Sequence, residues 1–260
     1  MFLATRSVRW SLVISLISFA ATAVAQTPPD PPILTIQLFN GKNLDGLHAY
    51  VDDRSVDVAE VWKVEEGVLR TDGQHKGYIR TEMPYADYKL QLDWRWPAQP
   101  GNSGVLIHLV NGDVLWPKGF EVQLASGRAG DLSSYVDARS KEEIVSRNPT
   151  GFSTGRLSHQ GESTEKPVGE WNTLQVVAAG NTLTIWVNDI KTNQMTDVVP
   201  GAGMIGLQSE GTPIDFRKIT LTPLTRAKNL HAPMPVEPIK PAEPAKPAVP
   251  TKPAEPVKKP

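Results

Sequence analysis

The feature that most constrains this chain is a strict two-residue alternation. From 88 to 96, Tyr88, Leu90, Leu92, Trp94 and Trp96 interleave with Lys89, Gln91, Asp93 and Arg95. Successive side chains of an extended strand point to opposite faces, so this pattern specifies a strand with one face in a core and one in solvent. A helix, with its 3.6-residue period, scatters the same set around its circumference. Short runs of the same style recur from Ile33 to Leu224, broken by Gly, Asn, Asp and Pro. They predict strands over 36–39, 62–64, 68–71, 78–81, 88–96, 103–108, 120–124, 173–178, 182–187, 204–209 and 214–222. Only 141–146 hints at a helical turn. The expected class is all-β: an antiparallel sandwich with short helical turns in its loops.

The two ends differ in kind from this middle. Residues 1–25 carry Arg6 and Arg9, then an apolar stretch from Trp10 to Ala23, then Ala23-Val24-Ala25. That is the three-part pattern of a cleaved signal peptide, and the apolar stretch is short for a retained bilayer anchor. The expectation is an exported protein, periplasmic or secreted, with no membrane span after cleavage. From His231 to Pro260, prolines fall at 235, 238, 241, 244, 247, 250, 253 and 256. Polyproline II has three residues per turn, so these prolines line one edge of a rod roughly 90 Å long at ~3.1 Å per residue. Such a tail buries no core. It reads as a solvated spacer that contacts the cell wall, or less readily as a recognition ligand. One folded domain of about 190 residues remains between the ends, over 33–224.

Composition removes several function classes. A formal net charge of -1 supplies no field to hold a polyanion, so nucleic acid is not an expected partner. With Cys 0, there is no disulfide, thiolate metal site or cysteine nucleophile. The five histidines are dispersed, with no HExxH motif. Neither a metal nor a cofactor is expected.

Alternation also sorts the polar residues. In 120–124, Phe120, Val122 and Leu124 form the apolar set, leaving Glu121 and Gln123 together on the opposite face. In the strand ending at His108, Val105 and Ile107 are read as the core side, with Ser103 and His108 opposed to them. Plain hydration accounts for most outward polar residues on a sandwich.

Seven strings then occur in order: FNGKNLDGL (39–47), VWKVEEGVL (61–69), YKLQLDWRW (88–96), NSGVLIH (102–108), FEVQL (120–124), WNTLQVVAAGNTLTIWVND (171–189) and GLQSEGTPIDFRKITLTPL (206–224). Together they resemble the 3-keto-disaccharide hydrolase family, also described as 3-keto-glucoside lyase and hydratase domains. The resemblance implies a concanavalin A-like jelly roll acting on a small-molecule sugar or glycoside. It also implies a chemistry. A ketone at C3 acidifies the C2 hydrogen, a base removes it, the enolate expels the aglycone from C1, and water adds back. This route differs from that of paired-carboxylate glycosidases. It needs a general base near C2 and donors toward the enolate oxygen.

On this reading Glu121 is the first candidate base or acid, with Gln123 as its orienting amide, and His108 is the second. Glu210 completes the catalytic set. In family members an arginine commonly stands at the position of His108 and a histidine at that of Glu210. Asn102 and Ser103 shape a turn beside the pocket, and Gln208 closes its other side. Among the seven tryptophans, Trp62, Trp94 and Trp171 read as core, whereas Trp116 and Trp186 are platform candidates. The stretch 127–169 reads as a long rim loop, not sheet, from which Tyr135, Arg139 and Arg156 reach substrate. Two rivals share the fold: a non-catalytic carbohydrate-binding module tethered by the tail, and a structural wall protein with its polar residues dispersed.

Overall fold

A computed structural model describes residues 34–110, 112–135, 138, 140 and 155–224. The signal-peptide and tail readings, Arg139 and the helical turn at 141–146 lie outside the described residues. Among the described residues, the strands in chain order are β1 (Ile36–Gln37), β2 (Leu47–Val51), β3 (Trp62–Glu65), β4 (Val68–Thr71), β5 (Gly77–Thr81), β6 (Tyr88–Arg95), β7 (Gly104–Leu109) and β8 (Gly119–Gln123). They continue with β9 (Leu132–Tyr135), β10 (Arg156–Leu157), β11 (Asn172–Ala179), β12 (Thr182–Val187), β13 (Ile190–Met195), β14 (Met204–Ser209) and β15 (Ile214–Pro223). The single helix among these residues, α1 (Val58–Val61), starts where Asp57 accepts the amide of Ala59 at 2.9 Å.

These strands make two antiparallel sheets. The first runs β13-β12-β11-β6-β15-β4-β3, with β1 also on β15, and the second runs β10-β9-β8-β7-β14-β5-β2. The fold is a concanavalin A-like jelly-roll sandwich. Between the sheets lies one main apolar filling, to which Leu90, Leu92 and Trp94 of β6, Phe216 of β15, Val105 and Ile107 of β7, and Phe120 and Val122 of β8 all contribute. The apolar half of the alternation over 88–96 is thus the inner face of a central strand. Its counterpart residues Lys89, Gln91, Asp93 and Arg95 face out of the first sheet.

Four strands escaped the sequence reading. The run 47–51 and the edge strands 190–195 and 156–157 are short or polar, so they lack a clear alternating signal. Within 127–169, expected to be loop alone, β9 pairs with β8 and β10 with β9, extending the second sheet. Trp171, expected in the core, instead lies half-buried on the outer side of the first sheet, between the guanidinium groups of Arg95 (4.5 Å to the ring centroid) and Arg217 (3.9 Å).

Candidate active site

The outward face of the second sheet carries a line of polar residues at a register fixed by its pairing. Glu121 of β8 stands opposite Leu106 of β7, and Leu106 opposite Gly206 of β14. Two residues on, Gln123 is opposite Gly104, and Gln208 follows Leu207, which pairs with Val105. Gly104 therefore sits between the Glu121 strand and Gln208. A Cβ at Gly104 would meet Glu121 Oε1 at 2.2 Å, so the missing side chain is what lets the carboxylate lean over β7 toward Gln208.

Glu121 is 3% exposed, and its two oxygens have different surroundings. Oε2 accepts the hydroxyl proton of Tyr135, which reaches across from β9. Oε1 is buried with no hydrogen-bond partner among the described residues. Burial pushes the Glu121 carboxyl up to about 7, the Tyr135 hydrogen bond works against that rise, and the negative charge of Glu210 adds to it. The same burial, together with the Glu121 charge, raises Tyr135 well above the usual phenol range, so its hydroxyl stays a donor.

Gln208 is 1% exposed, and its amide makes no full hydrogen bond among the described residues, although it lies near enough to the Tyr135 hydroxyl to offset part of that group's upward shift. Asn102 donates from Nδ2 to Glu210 at 3.0 Å, while its own Oδ1 is buried and unpartnered. Glu210 also pairs with Lys76 at 3.6 Å. Three polar side chains from strands and strand ends thus present atoms that no described residue satisfies. Each such atom costs about 1–3 kcal/mol when it is buried without a partner, so these atoms are where this face can take up ordered water or a polar ligand.

An aromatic wall adjoins this cluster. Trp116, from the β7–β8 connection, stacks on Tyr135 with ring centroids 6.0 Å apart at 19°. Farther along the same face, Tyr50 stacks on Tyr78 at 5.2 Å, and Tyr78 donates to the carbonyl of Val114 at 3.3 Å. Asp113 meets His48 at 2.9 Å and Arg80 at 3.6 Å, so the β7–β8 connection is fastened across this end of the sheet. A smaller apolar cluster of Tyr50, Tyr78, Leu106 and Leu109 lies there, with Leu115, Tyr135 and Met204 packed on it. Nothing in the sequence linked His48, Tyr50, Tyr78, Arg80 and Asp113, which are 65 positions apart at the extremes and meet only through register.

The family of 3-keto-alpha-glucoside-1,2-lyase-like domains matches residues 35–222. The chain belongs to this family. As a 3-keto-alpha-glucoside-1,2-lyase-like domain it is similar to two crystal structures from Parabacteroides distasonis ATCC 8503, both provisionally described as glycosyl hydrolases. The first is 22% identical, with a TM-score of 0.54 covering 74% of this chain and 94% of the other. The second is 23% identical, with a TM-score of 0.53 covering 74% and 100%. The carbohydrate-binding module CBM66 from Bacillus subtilis is 15% identical, with a TM-score of 0.48 covering 69% and 97%. No curated protein matches the chain.

Within this lyase-like domain the expected site residues separate into three groups. Glu121, Tyr135, Gln208, Asn102 and Glu210 come together, and Trp116 walls the cluster through Tyr135. Ser103 and Gln123 stand beside it but are committed to the scaffold: the Ser103 hydroxyl donates to the carbonyl of Gln208 at 2.8 Å, and Gln123 Oε1 accepts the amides of Leu124 and Ala125 at 2.9 and 2.8 Å. Gln123 therefore holds the β8 terminus and does not orient the Glu121 carboxylate.

His108 belongs to neither group, which corrects its assignment beside Glu121. The register of β7 against β14 shifts between Met204 and Gly206, and His108 takes a left-handed backbone with φ 56. That bulge breaks the alternation on which the expectation rested. The imidazole is 1% exposed, packs edge-on against Tyr88 at 5.8 Å, and shares a 3.0 Å hydrogen bond between Nδ1 and the carbonyl of Pro200. Burial lowers its pKa to about 4, so the ring is neutral at ordinary pH, and its Nε2 is buried without a partner among the described residues.

Proposed function

We propose that this protein is an exported enzyme that cleaves 3-keto-glycosides, with Glu121 as the group that moves the C2 proton. The carrying observation is a buried carboxyl at about 7, braced on one oxygen by Tyr135 and unpartnered on the other. A carboxyl tuned to that range is part ionised at neutral pH and both accepts and returns a proton, which is what a general base–acid needs.

In the proposed reaction, Glu121 Oε1 takes the hydrogen from C2 next to the ketone. The electron pair passes to the C3 oxygen as an enolate, to which the buried amide nitrogen of Gln208 donates in this proposal. Collapse of the enolate forms the C1–C2 double bond and breaks the bond from C1 to the aglycone oxygen, which takes up the proton that Glu121 holds. Water then adds to the unsaturated sugar. The Trp116–Tyr135 stack offers a flat apolar wall for a sugar ring, and Glu210 with Asn102 and Lys76 borders the other side. Export to the periplasm or medium is supported by the N-terminal sequence pattern.

The test is incubation of a 3-keto-disaccharide with the purified protein and with Glu121→Gln, following release of free sugar. Release by the wild type alone supports the reading. Binding without release by either protein replaces it with a saccharide-binding module.

A further inference from the structure

We propose that a second cleft, on the opposite face of the sandwich, is a binding site for a neutral saccharide. It measures about 190 Å³ and lies on the outward side of the first sheet, whereas Glu121 and Gln208 lie on the outward side of the second. The two sites do not share a surface.

The cleft has an apolar floor and a polar rim. Val61 at the end of α1, Pro97 and Pro213 supply the apolar part. Lys63 and Arg70 stand directly opposite each other across β3 and β4, and Arg70 stands opposite Asp215 of β15. Two cations facing each other on adjacent strands are unfavourable unless something between them accepts hydrogen bonds. The Arg70 guanidinium lies 3.5 Å from Glu65 and 3.8 Å from Asp215 through Nε, yet it donates no hydrogen bond among the described residues, and Nε itself is buried. Lys63 has no partner among the described residues. The site thus contains a guanidinium ion-paired on its Nε side and an exposed ammonium, both with donors that a ligand can reach.

The opposing charges decide the ligand class. Glu60, Asp72 and Asp215 line the same cleft, so it holds both signs, with three carboxylates against the two cations Lys63 and Arg70. Asp215 accepts from Arg95 at 2.9 Å, and Asp72 accepts the amide of Gln74 at 2.9 Å, which keeps both fixed. A ring bearing several hydroxyls both donates and accepts, and it has an apolar face for the prolines. A neutral saccharide matches this lining, whereas a uronate or a sulfated sugar adds an anion to a cleft whose carboxylates already outnumber its cations.

The site also touches the catalytic edge through the chain. A Cβ on Gly73 would meet the Thr212 carbonyl at 2.1 Å, and one on Gly101 would meet the Thr212 side chain at 2.3 Å, so the turn after Glu210 is clamped between the segments that follow β4 and β6. Pro213, Asp72 and Pro97 on those three segments form part of the cleft.

The experiment is titration of Glu121→Gln with maltose, which carries no ketone at C3, followed by calorimetry or ligand-detected NMR. It is repeated in the background of Lys63→Trp, which fills the cleft from an exposed position, and of Arg70→Ala. We expect weak binding that either substitution weakens about tenfold or more, because donors to the sugar are removed or blocked. Should Arg70→Ala fail to fold by circular dichroism, Lys63→Trp alone decides. Binding unchanged in Lys63→Trp, or glucuronate binding more tightly than maltose, overturns the proposal. Since the background variant cleaves nothing, neither result depends on the reaction assigned to Glu121.

Discussion

Tyr135 donates its hydroxyl proton to Oε2 of Glu121 across the β8–β9 pair, leaving Oε1 as the free oxygen of a buried carboxyl. Because that bond favours the ionised carboxylate, removing it raises the pKa of Glu121 further. Tyr135→Phe is expected to move the acidic limb of kcat/KM to higher pH by about 1–2 units, the equivalent of one hydrogen bond to a charged group. A pH–rate profile checks this.

Glu210 acts in the opposite sense. Its charge raises the Glu121 carboxyl, so Glu210→Gln is expected to shift the same limb to lower pH, while the new amide oxygen still accepts from Asn102. A limb that moves upward in this variant contradicts the placement of the two carboxyls.

Gly104 is where sequence tolerance and site geometry conflict. Gly104→Ala places a methyl 2.2 Å from Glu121 Oε1, so the carboxylate must turn away. The expected outcome is a folded protein, destabilised by about 1–3 kcal/mol, with cleavage lost. Thermal unfolding and an activity assay separate the two effects.

Two buried groups give opposite pH dependences of stability. His108 has a folded pKa of about 4, below its ordinary 6.5, so its contribution is present above pH 6.5 and is lost as pH falls toward 4. Glu121 has a folded pKa of about 7, above its ordinary 4.5, so its contribution is present below pH 4.5 and is lost as pH rises to 7. Each is worth at most about 3 kcal/mol, and the two largely offset each other between pH 4.5 and 6.5. Urea titrations of Glu121→Gln are expected to show stability rising with pH across that interval, and higher stability than wild type at pH 8. His108→Phe is expected to show stability falling with pH over the same interval.

Much of the sandwich was readable because its central strands are half-buried and alternate without interruption. The strands 182–187 and 204–209 match their expected bounds, and β6 differs by one residue. Glu121 was readable for the same reason, since Phe120 and Val122 fix its face. His108 was not: a bulge reverses a side chain without leaving a mark in composition, and one residue of slip changes the face. The fastening of Asp113 to His48 and Arg80 was also invisible, because it depends on a loop folding across strands distant in sequence. Gly104 carries a signal that became meaningful only once register placed it beneath the carboxylate.

The claim that Glu121 moves the C2 proton is tested most directly by deuterium incorporation at C2 of a 3-keto-glycoside incubated in D₂O, followed by NMR. Wild-type protein is expected to exchange that hydrogen and release sugar, with both processes lost together in Glu121→Gln. Exchange that persists in Glu121→Gln, or cleavage by the wild type with C2 hydrogen fully retained and no solvent deuterium in the product, contradicts it.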